Sequence, residues 1–201
     1  LAPHSLPGTI EAIHYDYGGE GQAYHDNDPQ NEGGGPRPGE AVDTEYKTGA
    51  GNVGWFETGE WMEYSVKVEK TAFVEANFQV ASLNGGGPVQ IFLDDEKVAE
   101  AQVGATGGWA DFSNLMVGSF AITEDAGILR IKAGGGGFNI ARLEFKEVGS
   151  TGLSARPATG PLKLYPNPAQ DYIHIQSEKK LNHIQIRNIS GRLVQENSLA
   201  G

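Results

Sequence analysis

Trp61-Met62-Glu63-Tyr64-Ser65-Val66-Lys67-Val68 alternates along its whole length. Met62, Tyr64, Val66 and Val68 share one face, while Trp61, Glu63, Ser65 and Lys67 share the other. A period of two residues is the mark of a half-buried β-strand. The next stretch, Thr71–Ser82, repeats the pattern, with Ala72, Val74, Ala76, Phe78 and Val80 opposed to Phe73, Glu75, Asn77, Gln79 and Ala81. Downstream, Leu83-Asn84-Gly85-Gly86-Gly87-Pro88 reads as a turn and Val89–Leu93 as a strand. Asp94-Asp95-Glu96-Lys97 is a charged hairpin tip, and Val98–Val103, Ala110–Val117, Gly127–Lys132 and Asn139–Phe145 continue the series. Upstream, Thr9–Tyr15 reads as a first strand, with further candidates at Ala41–Tyr46 and Trp55–Phe56. Short strands at even spacing, glycine-rich turns and no helical period predict an all-β protein, a β-sandwich or jelly roll.

Gly149–Pro161 is rich in small residues and carries two prolines, which marks a linker over 149–161 between residues 1–148 and a second unit, 162–201. In that tail Tyr172–Gln176 alternates, and Ile184-Gln185-Ile186 and Leu193-Val194 flank Ile189-Ser190-Gly191 as in a hairpin. So small a unit buries little apolar surface.

Charge supports the same division. The net charge is −11 over 201 residues. Residues 1–150 hold 23 acidic and 9 basic side chains, whereas residues 151–201 hold 3 and 6. A nucleic-acid partner needs clustered Lys and Arg, which the acidic part lacks. A neutral polymer or a cation suits it better. No run of 18 apolar residues is present, so no membrane span is expected. Leu1–Gly8 lack the basic start and apolar run of a signal peptide, as a mature or excised chain does. Cysteine is absent, so a core, alone or with a metal, must hold the fold; this does not fix the compartment.

Three glycine-flanked segments carry the candidate chemistry: Asn52-Val53-Gly54-Trp55, Thr106-Gly107-Gly108-Trp109 and Gly134-Gly135-Gly136-Gly137-Phe138-Asn139. Glycine permits sharp turns and leaves neighbouring rings uncovered. A single tryptophan in a β protein is usually core; two beside loop glycines point to an exposed pair that stacks on a sugar face, with an amide for its hydroxyls. The long polar stretch from Asp16 to Glu40 contains Asp26, Asp28, Asn31 and Glu32, oxygen donors that suit calcium or simply a solvated loop. Glu60 and Glu63 are the nearest candidates for a hydrolytic carboxylate pair, but an acidic chain contains such pairs by chance.

The order of motifs is more specific than any one of them. Ile10-Glu11-Ala12, Tyr24-His25-Asp26, Val42-Asp43-Thr44-Glu45, Asn52-Val53-Gly54-Trp55, Gly59-Glu60-Trp61-Met62-Glu63-Tyr64, Val80-Ala81-Ser82, Thr106-Gly107-Gly108-Trp109 and Gly137-Phe138-Asn139-Ile140 together resemble a family 6 carbohydrate-binding module. The resemblance implies a jelly roll that binds polysaccharide and performs no chemistry, attached to a secreted glycoside hydrolase. It implies that Trp55 and Trp109 sandwich a sugar ring, that Asn139 hydrogen-bonds it, and that Glu20 and Tyr24 from the first loop close the pocket. A second site on the concave sheet face, near Trp61 and Glu63, occurs in some members. The family's structural calcium implies Glu11 as a ligand here, but Ile13 and Ala141 stand where two further oxygen donors are expected. The acidic loop with Asp26 and Asp28 is the alternative calcium site. Laminarin-like β-1,3-glucan is the favoured β-glucan ligand, with agar-type galactan, xylan, mixed-linkage glucan or a calcium-dependent adhesion role as alternatives.

Leu164-Tyr165-Pro166-Asn167-Pro168 and Ile189-Ser190-Gly191-Arg192 resemble part of a type IX secretion C-terminal sorting domain. That implies contact with secretion machinery and a secreted or cell-surface location in a Bacteroidetes-type bacterium.

Overall fold

The structure is a computed structural model that describes residues 2–47 and 50–148 and, further on, 162–165, 174–177, 183–187 and 193–198. The chain divides into two compact units, Leu1–Val148 and Gly149–Gly201. The first unit contains β1 (His4–Leu6), β2 (Gly8–Glu11), β3 (Tyr24–His25), β4 (Thr44–Lys47), β5 (Ala50–Phe56) and β6 (Trp61–Val68). It continues with β7 (Ala72–Ala81), β8 (Gly86–Leu93), β9 (Glu96–Val103), β10 (Ser113–Ile122), β11 (Ile128–Ala133) and β12 (Phe138–Glu147).

These strands make two sheets. One runs β1-β6-β11-β8-β9 with β3 also on β6; the other runs β10-β7-β12-β5-β4 with β2 also on β12. Pairing is antiparallel throughout except between β1 and β6, which are parallel. The all-β sandwich read from the alternation is therefore the fold. The faces agree too: Met62, Tyr64, Val66 and Val68 of β6 are buried, as are Val74, Ala76, Phe78 and Val80 of β7.

Between the sheets, Phe145 lies edge-on to Phe78 at 5.9 Å and to Phe120 at 6.4 Å between centroids, linking β12, β7 and β10. A fully buried ring of this size stabilises the fold by about 1.5–3 kcal/mol through the area it removes from water. At one end of the sandwich, Phe56 and Phe138 make a similar contact at 5.5 Å.

Some boundaries differ from the alternation. The strand expected over Thr9–Tyr15 stops at Glu11, and Ala12–His14 form a 3-10 turn. The reason is topological: β2 pairs with β12 in one sheet, while Asp16 N–H donates to the Glu63 carbonyl of the other at 2.8 Å. The chain must change sheets between them, and an extended segment cannot. Tyr64 Oη fixes the crossing by donating to the Ala12 carbonyl at 2.7 Å. The segment expected from Ala110 begins only at Ser113 and runs on to Ile122, because Trp109 and Ala110 belong to a turn.

In the second unit, β13 (Leu162–Tyr165) pairs antiparallel with β14 (His174–Ser177). Likewise β15 (His183–Arg187) pairs antiparallel with β16 (Leu193–Ser198). The segment 149–161, read as a linker, lies outside the described residues.

Replacing Phe145 by Ala removes the ring shared by three strands. It is expected to cost about 3–5 kcal/mol, read as a lowered midpoint in urea denaturation followed by tryptophan fluorescence.

Candidate functional site

The three glycine-flanked segments meet at the end of the sandwich where Phe56 and Phe138 pack. Trp55 is the penultimate residue of β5 and adopts a left-handed backbone, φ 45°. That conformation costs a bulky residue on the order of 1–3 kcal/mol, so its neighbours must impose it. Gly54 N–H donates to the Asp43 carbonyl at 2.8 Å, and Gly137 N–H donates to the Phe56 carbonyl at 3.2 Å. The residues on either side of Trp55 are thus pinned, and its indole is turned outward, 50% exposed.

Trp109 lies in the β9–β10 loop. Thr106 anchors that loop: its N–H donates to the Ser82 carbonyl at 2.8 Å and its Oγ1 accepts from Ser82 N–H at 2.9 Å. Ser82 Oγ in turn donates to the Gly137 carbonyl at 2.6 Å. Gly107 takes φ 103°, and a Cβ on Gly108 would lie 2.5 Å from Asp111 Oδ2. The left-handed backbone at Gly107 favours glycine, whereas a side chain at Gly108 would require the exposed Asp111 carboxylate to swing aside. Trp109 is 45% exposed.

Trp55 and Trp109 bound a pocket of about 330 Å³ whose floor is Phe56, Gly137 and Phe138. Asn139 stands at its base, 4% exposed. Its Nδ2 donates to the Trp109 carbonyl at 3.0 Å and to Glu45 Oε1 at 3.2 Å. The sequence reading places this amide against the ligand. In the structure its N–H groups brace the site, and neither bond uses Oδ1. Two apolar rings with a few polar atoms between them form an arrangement that can stack on a sugar ring and meet its hydroxyls.

Glu20 and Tyr24 do not join this pocket. They line a second concavity of about 410 Å³ together with Asp26, Asn27 and Asp28. Glu20 accepts from Asp26 N–H at 3.1 Å and contacts His25 Nδ1 at 2.5 Å. Tyr24 is buried and its hydroxyl accepts from Ala41 N–H at 3.3 Å. The physical reason is that β3 pairs with β6, which fixes this part of the first loop on the other sheet. The acidic residues that do line the tryptophan pocket are Glu45 and Glu57. Glu45 lies in the stretch Val42–Glu45 that carries the family resemblance, and Glu57 is two residues beyond Trp55. What the sequence alone lacks is the β4–β5 register, Glu45 opposite Asn52, which brings the former to the site.

The other candidates have structural partners. Trp61 lies under the Arg130 guanidinium at 4.8 Å from its centroid, and Glu63 accepts from Arg130 Nε at 2.8 Å. Glu60 is buried; its two oxygens accept from Asn27 N–H at 3.2 Å and Glu57 N–H at 2.7 Å. The Glu60/Glu63 pair is therefore committed to holding the backbone and an arginine.

For a cation, the position at Glu11 does not fit. Glu11 Oε1 accepts from Arg142 Nε at 3.0 Å, Ile13 packs against Gly51, and Ala141 offers no side-chain oxygen. Asn31 is spent on turns, accepting from Gly33 and Gly34 N–H at 3.0 Å each, and Glu32 N–H donates to Asp43 Oδ1 at 2.5 Å. Asp26 and Asp28, however, are joined by Asp43, with one oxygen of each within 4.8 Å of the others. Burial, together with the nearby charges of Glu60, Asp28 and Glu20, pushes the Asp26 carboxyl up to about 7. Burial and the charges of Asp26, Asp28 and Glu32 push Asp43 up to about 6. Such crowding is the donor set that a hard cation relieves.

Comparisons with known proteins bear on this geometry. The model of the carbohydrate binding module (family 6) matches residues 36–147, and that of the secretion system C-terminal sorting domain matches residues 163–201. A comparison with curated proteins gives no match. Among solved structures, the C-terminal CBM6 of LamC, a marine laminarinase from Zobellia galactanivorans, is 23% identical with a TM-score of 0.53; the match covers 69% of this chain and 98% of that one. CsCBM6-3 from Clostridium stercorarium, in complex with cellobiose, is 16% identical with a TM-score of 0.56 and coverages of 73% and 98%. A β-1,3-glucan-binding CBM6 from Bacillus halodurans is 21% identical with a TM-score of 0.53 and coverages of 72% and 98%. At these identities the likeness to solved structures is one of fold. The family match spans more than half of the chain and includes the two tryptophans, Asn139 and the glycines that shape their loops, so the chain belongs to the family 6 carbohydrate-binding modules and continues into a secretion sorting domain.

Proposed function

We propose that the first unit binds a β-glucan, laminarin-like β-1,3-glucan before others, in the pocket between Trp55 and Trp109, and carries out no reaction on it. The observation behind this reading is the pair of half-exposed indoles facing a pocket of about 330 Å³ over an apolar floor. Two of the similar folds belong to a laminarinase and to a β-1,3-glucan-binding module, which makes laminarin the first ligand to test. The parent protein would then be a secreted glycoside hydrolase that this module holds against its substrate. The sorting tail supports export, and the Bacteroidetes-type cell surface is the destination we propose.

Stacking contributes about 1–3 kcal/mol per ring, by analogy with bases on aromatic side chains, and each hydrogen bond about 1 kcal/mol. After the cost of association, this predicts a Kd on the order of 10 μM to 1 mM.

We also propose that Asp26, Asp28 and Asp43 hold a structural calcium ion. Calcium takes oxygen donors and tolerates irregular shells, and its charge would offset the repulsion among these carboxylates.

Replacing Trp55 or Trp109 by Ala is expected to weaken laminarin binding at least about tenfold in affinity electrophoresis, with the melting temperature unchanged. Retention of full affinity by both variants would place the site elsewhere. In the same assay, mobility shifts on xylan, agar or mixed-linkage glucan without one on laminarin would reassign the ligand. Asn139→Ala is expected to lower both affinity and melting temperature, since it removes the two hydrogen bonds that brace the Trp109 loop, each contributing about 1 kcal/mol.

Calcium is expected to raise the melting temperature at pH 7.5, and chelator to reverse this. The sign with pH follows from the raised carboxyls. Without calcium the folded state binds more protons than the unfolded chain from about pH 4 to 7, so stability falls as pH rises through that window. Calcium should therefore stabilise little at pH 5. An equal shift at both pH values would exclude Asp26 and Asp43 as ligands.

A further inference from the structure

The tryptophan pocket has a charge character that stacking does not require. Among the described residues that line it, the charged ones are Glu45 and Glu57. Glu45 stands at its base beside Asn139, and Glu57 on the turn between β5 and β6. That turn is held at several points. Glu57 N–H donates to Glu60 Oε2 at 2.7 Å, Thr58 Oγ1 accepts from Gly136 N–H at 3.0 Å, and the Thr58 carbonyl accepts from Asn27 Nδ2 at 3.3 Å. Glu57 itself is exposed and lines the pocket from a fixed backbone.

We infer that Glu57 makes this pocket a charge filter that admits uncharged glycan rings and rejects glycans carrying carboxylate or sulfate near the stacked ring. The inference rests on the sugar site proposed above. A ligand anion about 6 Å from a carboxylate, at an effective dielectric constant of about 20–80, binds about 3- to 100-fold more weakly than its neutral counterpart. The first unit is acidic as a whole, so a general repulsion acts as well, but exposed charges beyond the Debye length of about 10 Å at 0.1 M salt are screened. A carboxylate lining the pocket acts inside that length.

The test compares laminarin with carboxymethylated laminarin on the full chain by isothermal titration calorimetry, at low and high salt. The readout is the ratio of the two affinities. Wild type is expected to favour the neutral glucan at least threefold at low salt, with the gap narrowing at high salt. E57Q should close most of the gap, and E57K should reverse the preference. E124Q, on the turn after β10 and at the end of that strand away from Trp109, should leave the ratio unchanged. Melting temperatures of the variants establish that each is folded. A gap that persists in E57Q, or that salt does not alter, means that the substituent is excluded by shape and overturns the inference. So does an equal effect from E124Q, which would assign the discrimination to overall charge. Loss of binding to both glucans in the wild type overturns the sugar site itself, and the inference with it.

Discussion

The amide of Asn139 donates to the Trp109 carbonyl at 3.0 Å and to Glu45 Oε1 at 3.2 Å. Those two bonds join β12, the β9–β10 loop and β4, three segments far apart along the chain. They matter because an indole on a wandering loop offers no flat platform: ordering it at the moment of binding would consume much of the modest stacking energy. A buried amide that reaches both a backbone carbonyl and a carboxylate orders the loop beforehand. Asn139 can do this because it occupies β12, the strand that pairs with both β5 and β7.

Close backbone approach is the second requirement of the site. A Cβ on Gly86 would collide with the Gly136 carbonyl, and one on Gly135 with the Gly87 carbonyl. The glycine runs at 85–87 and 134–137 are therefore packing surfaces, which let the turns before β8 and β12 lie against each other beneath the pocket. The strained backbone of Trp55 is tolerable in this setting because the hydrogen bonds of Gly54 and Phe56 leave it no alternative. A strained residue held by rigid structure on either side is how this sandwich end presents a ring outward instead of burying it.

Acidic residues divide between two regions with different consequences. Around Asp26, Asp28 and Asp43 they crowd one another in a partly buried loop, which raises their proton affinity and suits a cation. Around Trp55 and Trp109 they line an open pocket, where a neutral ligand is preferred to an anion. The Glu57–Glu60 turn connects the two: Glu60 accepts from Asn27 N–H, next to the acidic cluster, and from Glu57 N–H, at the pocket.

Much of this molecule was legible in its residues. The alternation of Trp61–Val68 and Thr71–Ser82 determined two strands and their buried faces, because a period of two is a local property of an extended chain. Glycines beside Trp55 and Trp109 pointed to exposed rings, since glycine leaves a neighbouring side chain uncovered. Other features depended on which strands meet. Thr9–Tyr15 alternates like a strand, yet the crossing between sheets breaks it at Ala12. Glu20 and Tyr24 lie in the same first loop as Asp26, and only the β3–β6 pairing shows that they face away from the tryptophans. Asp43 joins Asp26 and Asp28, and Glu45 joins Asn139, across gaps that no local pattern spans. Strands, buried faces and exposed rings follow from neighbours along the chain and could be read from the residues; which carboxylates share a site depends on register between strands distant in sequence, and only the folded molecule reveals it.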